Sequence, residues 1–391
     1  MYPHQAERLG EALASQGLAA LVATTPQNIH YVTGYRSPAP AISRSSDLYG
    51  VFTPNGTGLV VPAIEMAAIA ADGTDVDHVV CHGRLVIECA GGTDRGADRL
   101  REWLARSAAS GPDALAAALR ALGVGAGTVG LDEGGLGPAG WRRLVERLDG
   151  ITVVPAADHL ARARAVKGPW EIECLRRAVH IAEEAMNAVI QMLRPGVTER
   201  EAASLFEAEI AKRGALPARA VIAMGERAAL PTAPSSDRAL RPGDLVRLDV
   251  GCLYKGYWSD VARTAVMGEP SERQQALYDA IQAGEEAAIA AVKAGVTAEH
   301  VFDLALARTR EAGLPRFERP HAGGGIGLEP REWPALGPGE RAALEPGMVL
   351  VIETPYFEYG WGGLHVKDTV LVTSVGSQIL NRSNRGLVVL D

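Results

Sequence analysis

Residues 248–266 read LDVGCLYKGYWSDVARTAV. Two apolar runs meet at Tyr254–Gly256, where the chain must reverse, so the stretch predicts a hairpin. Each run carries one acid, Asp249 and Asp260. Two carboxylates brought together inside an apolar hairpin repel each other. Something positive is then required between them, either a metal ion or a basic side chain. The alternative, one acid turned to solvent, sits poorly with apolar neighbours on both sides.

Working outward, helical patterns flank the hairpin. Glu171–Leu193 is apolar at helical spacing through Ile172, Leu175, Val179, Ala182 and Met186, and stops at Pro195-Gly196. Thr198 and Glu201 form a capping box for a helix that runs to Gly214. Beyond the hairpin the plan returns. Ser271 with Gln274 caps a long helix that stops at Gly295, and Thr297 opens another that ends at Gly313. Gly-Val-Thr stands at both turns, at 196–198 and 295–297. Helix–helix–strands written twice is an internal duplication, which implies a cleft between the halves.

The first 160 residues read differently. Residues 4–16 are helical, Ala19–Thr25 is a short strand, and Leu48–Phe52 with Gly58–Val61 form a hairpin through Asn55-Gly56. Units of βα type follow to Ala156, and Gly168-Pro169 falls at a boundary. The expected organisation is a mixed α/β domain over 1–163 and a duplicated α+β domain over 164–391.

The whole-chain arithmetic excludes several classes. Hydrophobic residues make up 47% and charged residues 22% of 391, which describes a folded globular chain. Lys+Arg 39 against Asp+Glu 47 leaves a net charge of -8 with no basic run, which argues against a nucleic-acid partner. No apolar stretch reaches 18 residues, and MYPHQAERLG lacks the shape of a secretory signal. Cys81, Cys89, Cys174 and Cys252 show no CxxC spacing and read as reduced thiols of a cytoplasmic protein.

Three later segments carry further candidates. In PHAGGGIGLEPREWP, 320–334, the glycines let a ligand approach the backbone, His321 stands at the loop, and Arg331 is suited to clamp a carboxylate. The plain readings there are a flexible loop and a surface salt bridge. In EPGMVLVIETPYF, 345–357, Glu353 ends an apolar strand and should be internal. In GGLHVKDTVLV, 362–372, His365 and Lys367 share one face and Asp368 takes the other. An inward lysine needs acids around it; otherwise Lys367 is a protective edge-strand charge.

These motifs, in this order, resemble the pita-bread fold shared by methionine aminopeptidases, Xaa-Pro peptidases and creatinase, with a creatinase-type domain in front. The resemblance covers nearly the whole chain. In the metallopeptidases of that group, Asp, Asp, His, Glu and Glu hold two divalent metals. Carried over residue by residue, Asp249, Asp260 and Glu353 are present. The family's GHGIG becomes GGGIG, so its histidine falls on Gly324, and its R-I-E-D becomes His365-Val366-Lys367-Asp368, so its last glutamate falls on Lys367. The family's proton-shuttling histidine falls on Thr232, and its substrate-contacting histidine on Arg331. LEPRE also resembles the LELRE of creatinase, whose arginine holds a substrate carboxylate.

The resemblance leaves three readings. The first is a metal-independent enzyme without a cofactor, acting on a small carboxylated metabolite by C–N hydrolysis or by lyase or cyclase chemistry. Arg331 would then be the clamp, His365 the general acid–base with His321 second, and Lys367 the counterion of Asp249, Asp260 and Glu353. Tyr257, Trp258 and Tyr356 would shape the pocket, and Thr232 would offer the substrate a hydrogen bond only. The second is a pseudoenzyme kept for binding. The third is an Xaa-Pro metallopeptidase with unusual ligands. The creatinase branch further implies a homodimer, in which one arginine of the loop carrying Tyr35, Arg36 and Arg44 could reach the site of the other subunit.

Overall fold

In a computed structural model the chain forms two compact units, Met1–Arg164 and Ala165–Asp391. The structure describes residues 2–38, 47–88 and 95–391. The first unit is a six-stranded sheet with helices. Its strands are β1 (Ala20–Ala23), β2 (Tyr49–Thr53), β3 (Gly56–Pro62), β4 (His78–His82), β5 (Gly127–Leu131) and β6 (Ile151–Pro155), in the order β4-β3-β2-β1-β5-β6. The expected hairpin is β2–β3, and Gly56 takes a φ of 140° there, which a residue with a Cβ rarely adopts. Outer pairs are parallel, as the βα reading requires. Buried Asp132 ties the end of β1 to the following helix, accepting from Thr24 N at 3.1 Å, Thr25 N at 3.0 Å and Asn28 Nδ2 at 2.8 Å.

The second unit is α+β with the pita-bread plan. Two helix pairs, Pro169–Met192 with Glu199–Lys212 and Glu272–Ala291 with Ala298–Glu311, pack on one large sheet. Its strands are β7 (Leu216–Met224), β8 (Leu245–Tyr254), β9 (Tyr257–Trp258), β10 (Val261–Met267), β11 (Gly323–Gly325), β12 (Glu332–Ala335), β13 (Val349–Glu353), β16 (Lys367–Val372), β17 (Ser377–Ile379) and β18 (Val388–Leu390), while β14 (Tyr356–Glu358) and β15 (Gly362–Leu364) pair separately. The path across the sheet is β12-β11-β13-β16-β10-β8-β7.

The caps behave as local chemistry dictates. Thr198 Oγ1 accepts from Glu201 N at 3.2 Å, and the Glu201 carboxylate accepts from Thr198 N at 2.8 Å; Ser271 and Gln274 do the same. The duplication extends beyond the helices. Gly196 N donates to Leu240 O, Leu240 N to Val197 O, and Thr198 bridges Ala239. In the second copy Gly295 N donates to Leu344 O, Leu344 N to Val296 O, and Thr297 bridges Ala343.

Each half has its own apolar core. Leu248, Val250 and Cys252 face the first helix pair, and Leu350 and Ile352 face the second. Strand alternation therefore turns Asp249 and Glu353 to the opposite face. The halves meet where β10 and β16 share a single registered pair, Ala262↔Lys367. Side chains complete the join. Arg263 Nη1 donates to Ala262 O at 2.8 Å and to Lys367 O at 2.9 Å. Thr264 Oγ1 donates to His365 O at 3.0 Å and accepts from His365 N at 2.8 Å. These bonds satisfy backbone groups that the short ladder leaves open. Among the described residues no helix is long and apolar enough to cross a membrane.

Candidate active site

The register of the sheet assembles the site. Glu353 stands opposite Lys367, Lys367 opposite Ala262, and Ala262 opposite Asp249. Residues in such a row share one face. Asp260 lies two residues before Ala262, and His365 two before Lys367, so both join that face. Ala262 is small and leaves room beside it for the lysine chain.

Lys367 Nζ donates to Asp249 Oδ1 at 2.9 Å and Asp260 Oδ1 at 2.8 Å, and lies 3.3 Å from Glu353 Oε2. The side chain is only 3% exposed. Burial alone would strip its proton. Asp249, Asp260 and Glu353 together outweigh burial and hold its pKa above the ordinary value, so it is an ammonium. In return, Lys367 with its neighbours overcomes the burial that would raise Asp249 and Glu353, and both sit well below the usual carboxylate range. Asp260 goes the other way: burial pushes it up to about 6.

His365 is buried, and its Nε2–H donates to Glu353 Oε2 at 2.9 Å. Burial pushes its pKa down to about 4, so the ring is neutral at physiological pH. Nδ1 then carries a bare lone pair, and it is buried without a hydrogen-bond partner. The ring stands at 84° to that of Phe357 with centroids 6.2 Å apart, and the guanidinium groups of Arg247 and Arg319 lie 5.3 Å and 5.6 Å from the Phe357 centroid. Arg219 pairs with Asp249, and Arg247 lies 3.5 Å from the same carboxylate.

His321, the second acid–base candidate, has its Nδ1 3.6 Å from Glu353 Oε1. Its Nδ1 accepts from the Gly323 amide at 3.2 Å, and its Nε2 lies 2.9 Å from Arg331 Nη1.

Other sequence candidates lie elsewhere. Thr232 is exposed in a turn and makes no hydrogen bond to the cluster among the described residues. Tyr257 does not shape the pocket: its hydroxyl donates to Glu171 Oε1 at 2.9 Å and its ring meets Trp170 edge-on, which ties the first helix to the sheet. Arg44 lies outside the described residues. Sequence reasoning missed Arg219, Arg247 and Arg319. Arg247 left a signal, since it stands two residues before Asp249 on one strand and must share its face.

The donor set does not fit a pair of divalent metals. Gly324 offers no side chain, and a Cβ there would meet Pro334 O at 2.9 Å and Ala335 Cα at 3.2 Å. The three acids that remain converge on the Lys367 ammonium, a donor that cannot ligate a metal while protonated. Among the described residues no group of three or more His, Cys, Asp or Glu is arranged to hold an ion.

Comparison with known proteins supplies the rest. Residues 173–374 match the model of Metallopeptidase family M24, and residues 5–166 match the Creatinase/Prolidase N-terminal domain. The chain is 36% identical over 233 residues to a Xaa-Pro dipeptidase of Pyrococcus furiosus, spanning 59% of this chain and 67% of that protein. The corresponding figures for a Xaa-Pro dipeptidase of Pyrococcus horikoshii are 35%, 59% and 66%. The solved Xaa-Pro dipeptidase from Bacillus anthracis superposes with a TM-score of 0.82 at 26% identity, covering 99% of both chains. These relatives are named as peptidases. They overturn the expectation of a metal-independent enzyme on a small carboxylated metabolite, and equally that of a pseudoenzyme. What they support is a hydrolase. With its second unit matching the catalytic model and its first unit the accompanying domain, the chain belongs to metallopeptidase family M24.

Proposed function

We propose that this chain hydrolyses the amide bond of short Xaa-Pro peptides. The observation that supports this most is the set Asp249, Asp260 and Glu353, buried on one sheet face of a chain 36% identical over 233 residues to a Xaa-Pro dipeptidase. The chain's own groups divide the work. Lys367 is committed to the three carboxylates and fixes them. His365, held by Glu353 through Nε2–H, presents Nδ1 as the base. A water gives its proton to Nδ1 as its oxygen attacks the carbonyl carbon. When the C–N bond breaks, the same proton passes to the departing proline nitrogen.

The test is proline release from Ala-Pro, Leu-Pro and Glu-Pro by the purified chain, alone and with added manganese, cobalt or zinc. Release is expected, and His365→Ala should lower it roughly 10²- to 10⁴-fold while the fold survives by circular dichroism. No release from any dipeptide under any of these conditions would remove the proposal.

A further inference from the structure

The cations around Asp249 differ in how far their donors are used. Lys367 is taken up by Asp249, Asp260 and Glu353. Arg247 is fully buried and donates to Ala228 O at 2.8 Å and Leu230 O at 2.6 Å, with Asp249 3.5 Å from its remaining terminal nitrogen. Arg219 is different. Among the described residues its guanidinium makes one hydrogen bond, from Nη2 to Asp249 Oδ2, and its Nε is buried without a partner. A buried N–H without an acceptor is costly, and an anion arriving beside it recovers that cost.

The sheet aims this side chain at the base. Val221 of β7 is registered opposite Asp249, and Arg219, two residues earlier, opposite Gly251. Alternation puts Arg219 on the Asp249 face. A bulge falls between Pro217 and Arg219, and bulges re-aim the side chains beside them. The result is convergence on one oxygen. Asp249 Oδ2 accepts from Arg219 and lies 3.9 Å from His365 Nδ1, the bare nitrogen of the base. Guanidinium and base are thus neighbours across a single carboxylate oxygen. Arg219 is also the open member of this group: its side chain is 35% exposed, against 12% for Asp260 and 3% for both His365 and Lys367.

Building on the peptidase reading, we propose that Arg219 is a catalytic residue that holds the oxyanion of the tetrahedral intermediate. As water gives its proton to His365 Nδ1 and its oxygen bonds to the carbonyl carbon, the π pair of the carbonyl moves onto oxygen. Arg219 donates a hydrogen bond to that alkoxide and keeps its own proton. When the pair returns, the C–N bond breaks and the proline nitrogen takes the proton from Nδ1. The carbonyl oxygen is an anion only between these steps, so the contact is strongest there and speeds the reaction. Asp249 holds the guanidinium in place beforehand, which makes it a fixed donor.

The experiment measures kcat and KM on Leu-Pro for the wild type, Arg219→Lys and Arg219→Met. It also measures Ki for a phosphinic isostere of Leu-Pro, which carries a charged tetrahedral centre, and for proline, which carries none. Arg219→Met should lower kcat about 10²- to 10³-fold with KM nearly unchanged. Its Ki for the phosphinate should rise by the factor that kcat/KM falls, while its Ki for proline stays put. Arg219→Lys keeps a charge beside Asp249 and should fall between. Melting temperatures check folding, and if Arg219→Met does not fold, Arg219→Lys carries the same comparison. An unchanged kcat, or equal weakening of phosphinate and proline, overturns the inference and leaves the peptidase reading intact. Absence of turnover of every Xaa-Pro dipeptide by the wild type overturns the peptidase reading, and this inference with it.

Discussion

Residues 169–267 and 272–372 repeat one plan, with matching helix pairs, matching Gly-Val-Thr turns and matching backbone bonds at those turns. They differ at the positions that face the site. In the first half the residue opposite Asp249 is Ala262; in the second the residue opposite Glu353 is Lys367. Two residues earlier stand Asp260 in one half and His365 in the other. The first half therefore brings Asp249 and Asp260, with Arg219 and Arg247 turned to Asp249, and the second brings Glu353 together with the Lys367 ammonium and the imidazole of His365. Neither half could bury its share by itself, because isolated buried charges are too costly.

The largest break in this comparison is Lys367→Met, which leaves acids from both halves without their ammonium. Removing one partner of a buried ion cluster typically costs about 3–5 kcal/mol, so the urea midpoint should fall accordingly. An unchanged midpoint would mean that the acids do not depend on Lys367. Moving the lysine to the other half sharpens the same point. The double variant Ala262→Lys with Lys367→Ala places an ammonium across the local axis and should recover at least half of that loss.

A subtler effect compares Asp260 with its counterpart His365. Burial drives both toward the neutral form, so the acid rises from 3.8 to about 6 and the base falls from 6.5 to about 4. Asp260 binds its proton more tightly in the folded chain, so its contribution fades as pH rises through 6. His365 binds its proton less tightly when folded, so its contribution fades as pH falls through its ordinary value toward 4. Between about pH 4 and 6 the two slopes oppose each other. These two contributions should nearly cancel in the wild type over that window. Relative to the wild type, Asp260→Asn should tilt the profile upward with pH and His365→Ala should tilt it downward, each by at most about 1.4 kcal/mol per pH unit. Denaturant midpoints measured across the window would show this, and parallel curves for all three proteins would refute it.

The smallest effect concerns the reverse face of β16. There Asp368 pairs with Arg263 at 2.6 Å, while neither carboxylate oxygen of the fully buried Glu285 has a hydrogen-bond partner. Burial holds the pKa of Glu285 well above its ordinary value, so it is uncharged. Glu285→Gln should therefore change the urea midpoint by less than about 1 kcal/mol, far less than Lys367→Met. A large loss would show that Glu285 is ionised and paired.

Much of this was legible because it is local. The capping pairs Thr198–Glu201 and Ser271–Gln274 act within one turn, and strand alternation alone puts His365 and Lys367 on one face. What was not legible depends on partners far along the chain. Tyr257 reads as a pocket aromatic until Glu171, 86 residues away, claims its hydroxyl. His321 is turned inward by its contact with Arg331, which periodicity does not encode. Arg263 looks like an ordinary strand residue until it is seen to bond both carbonyls at the join of the halves. The substrate reading erred for a related reason. Gly324 and Lys367 suggest a change of chemistry when weighed alone, whereas the family model matches residues 173–374 and the relatives are named as peptidases.

The single registered pair between β10 and β16 also has a mechanical meaning. A sheet under tension parts where the fewest backbone bonds cross, and here that line runs through the site. Arg263 works as a bolt through it, gripping Ala262 and Lys367 by their carbonyl oxygens. If the chain were stretched between its two helix pairs, the bolt would bear the load before either raft of strands began to unravel. Chemical competence would vanish at that first slip, while most of the ordered structure was still standing.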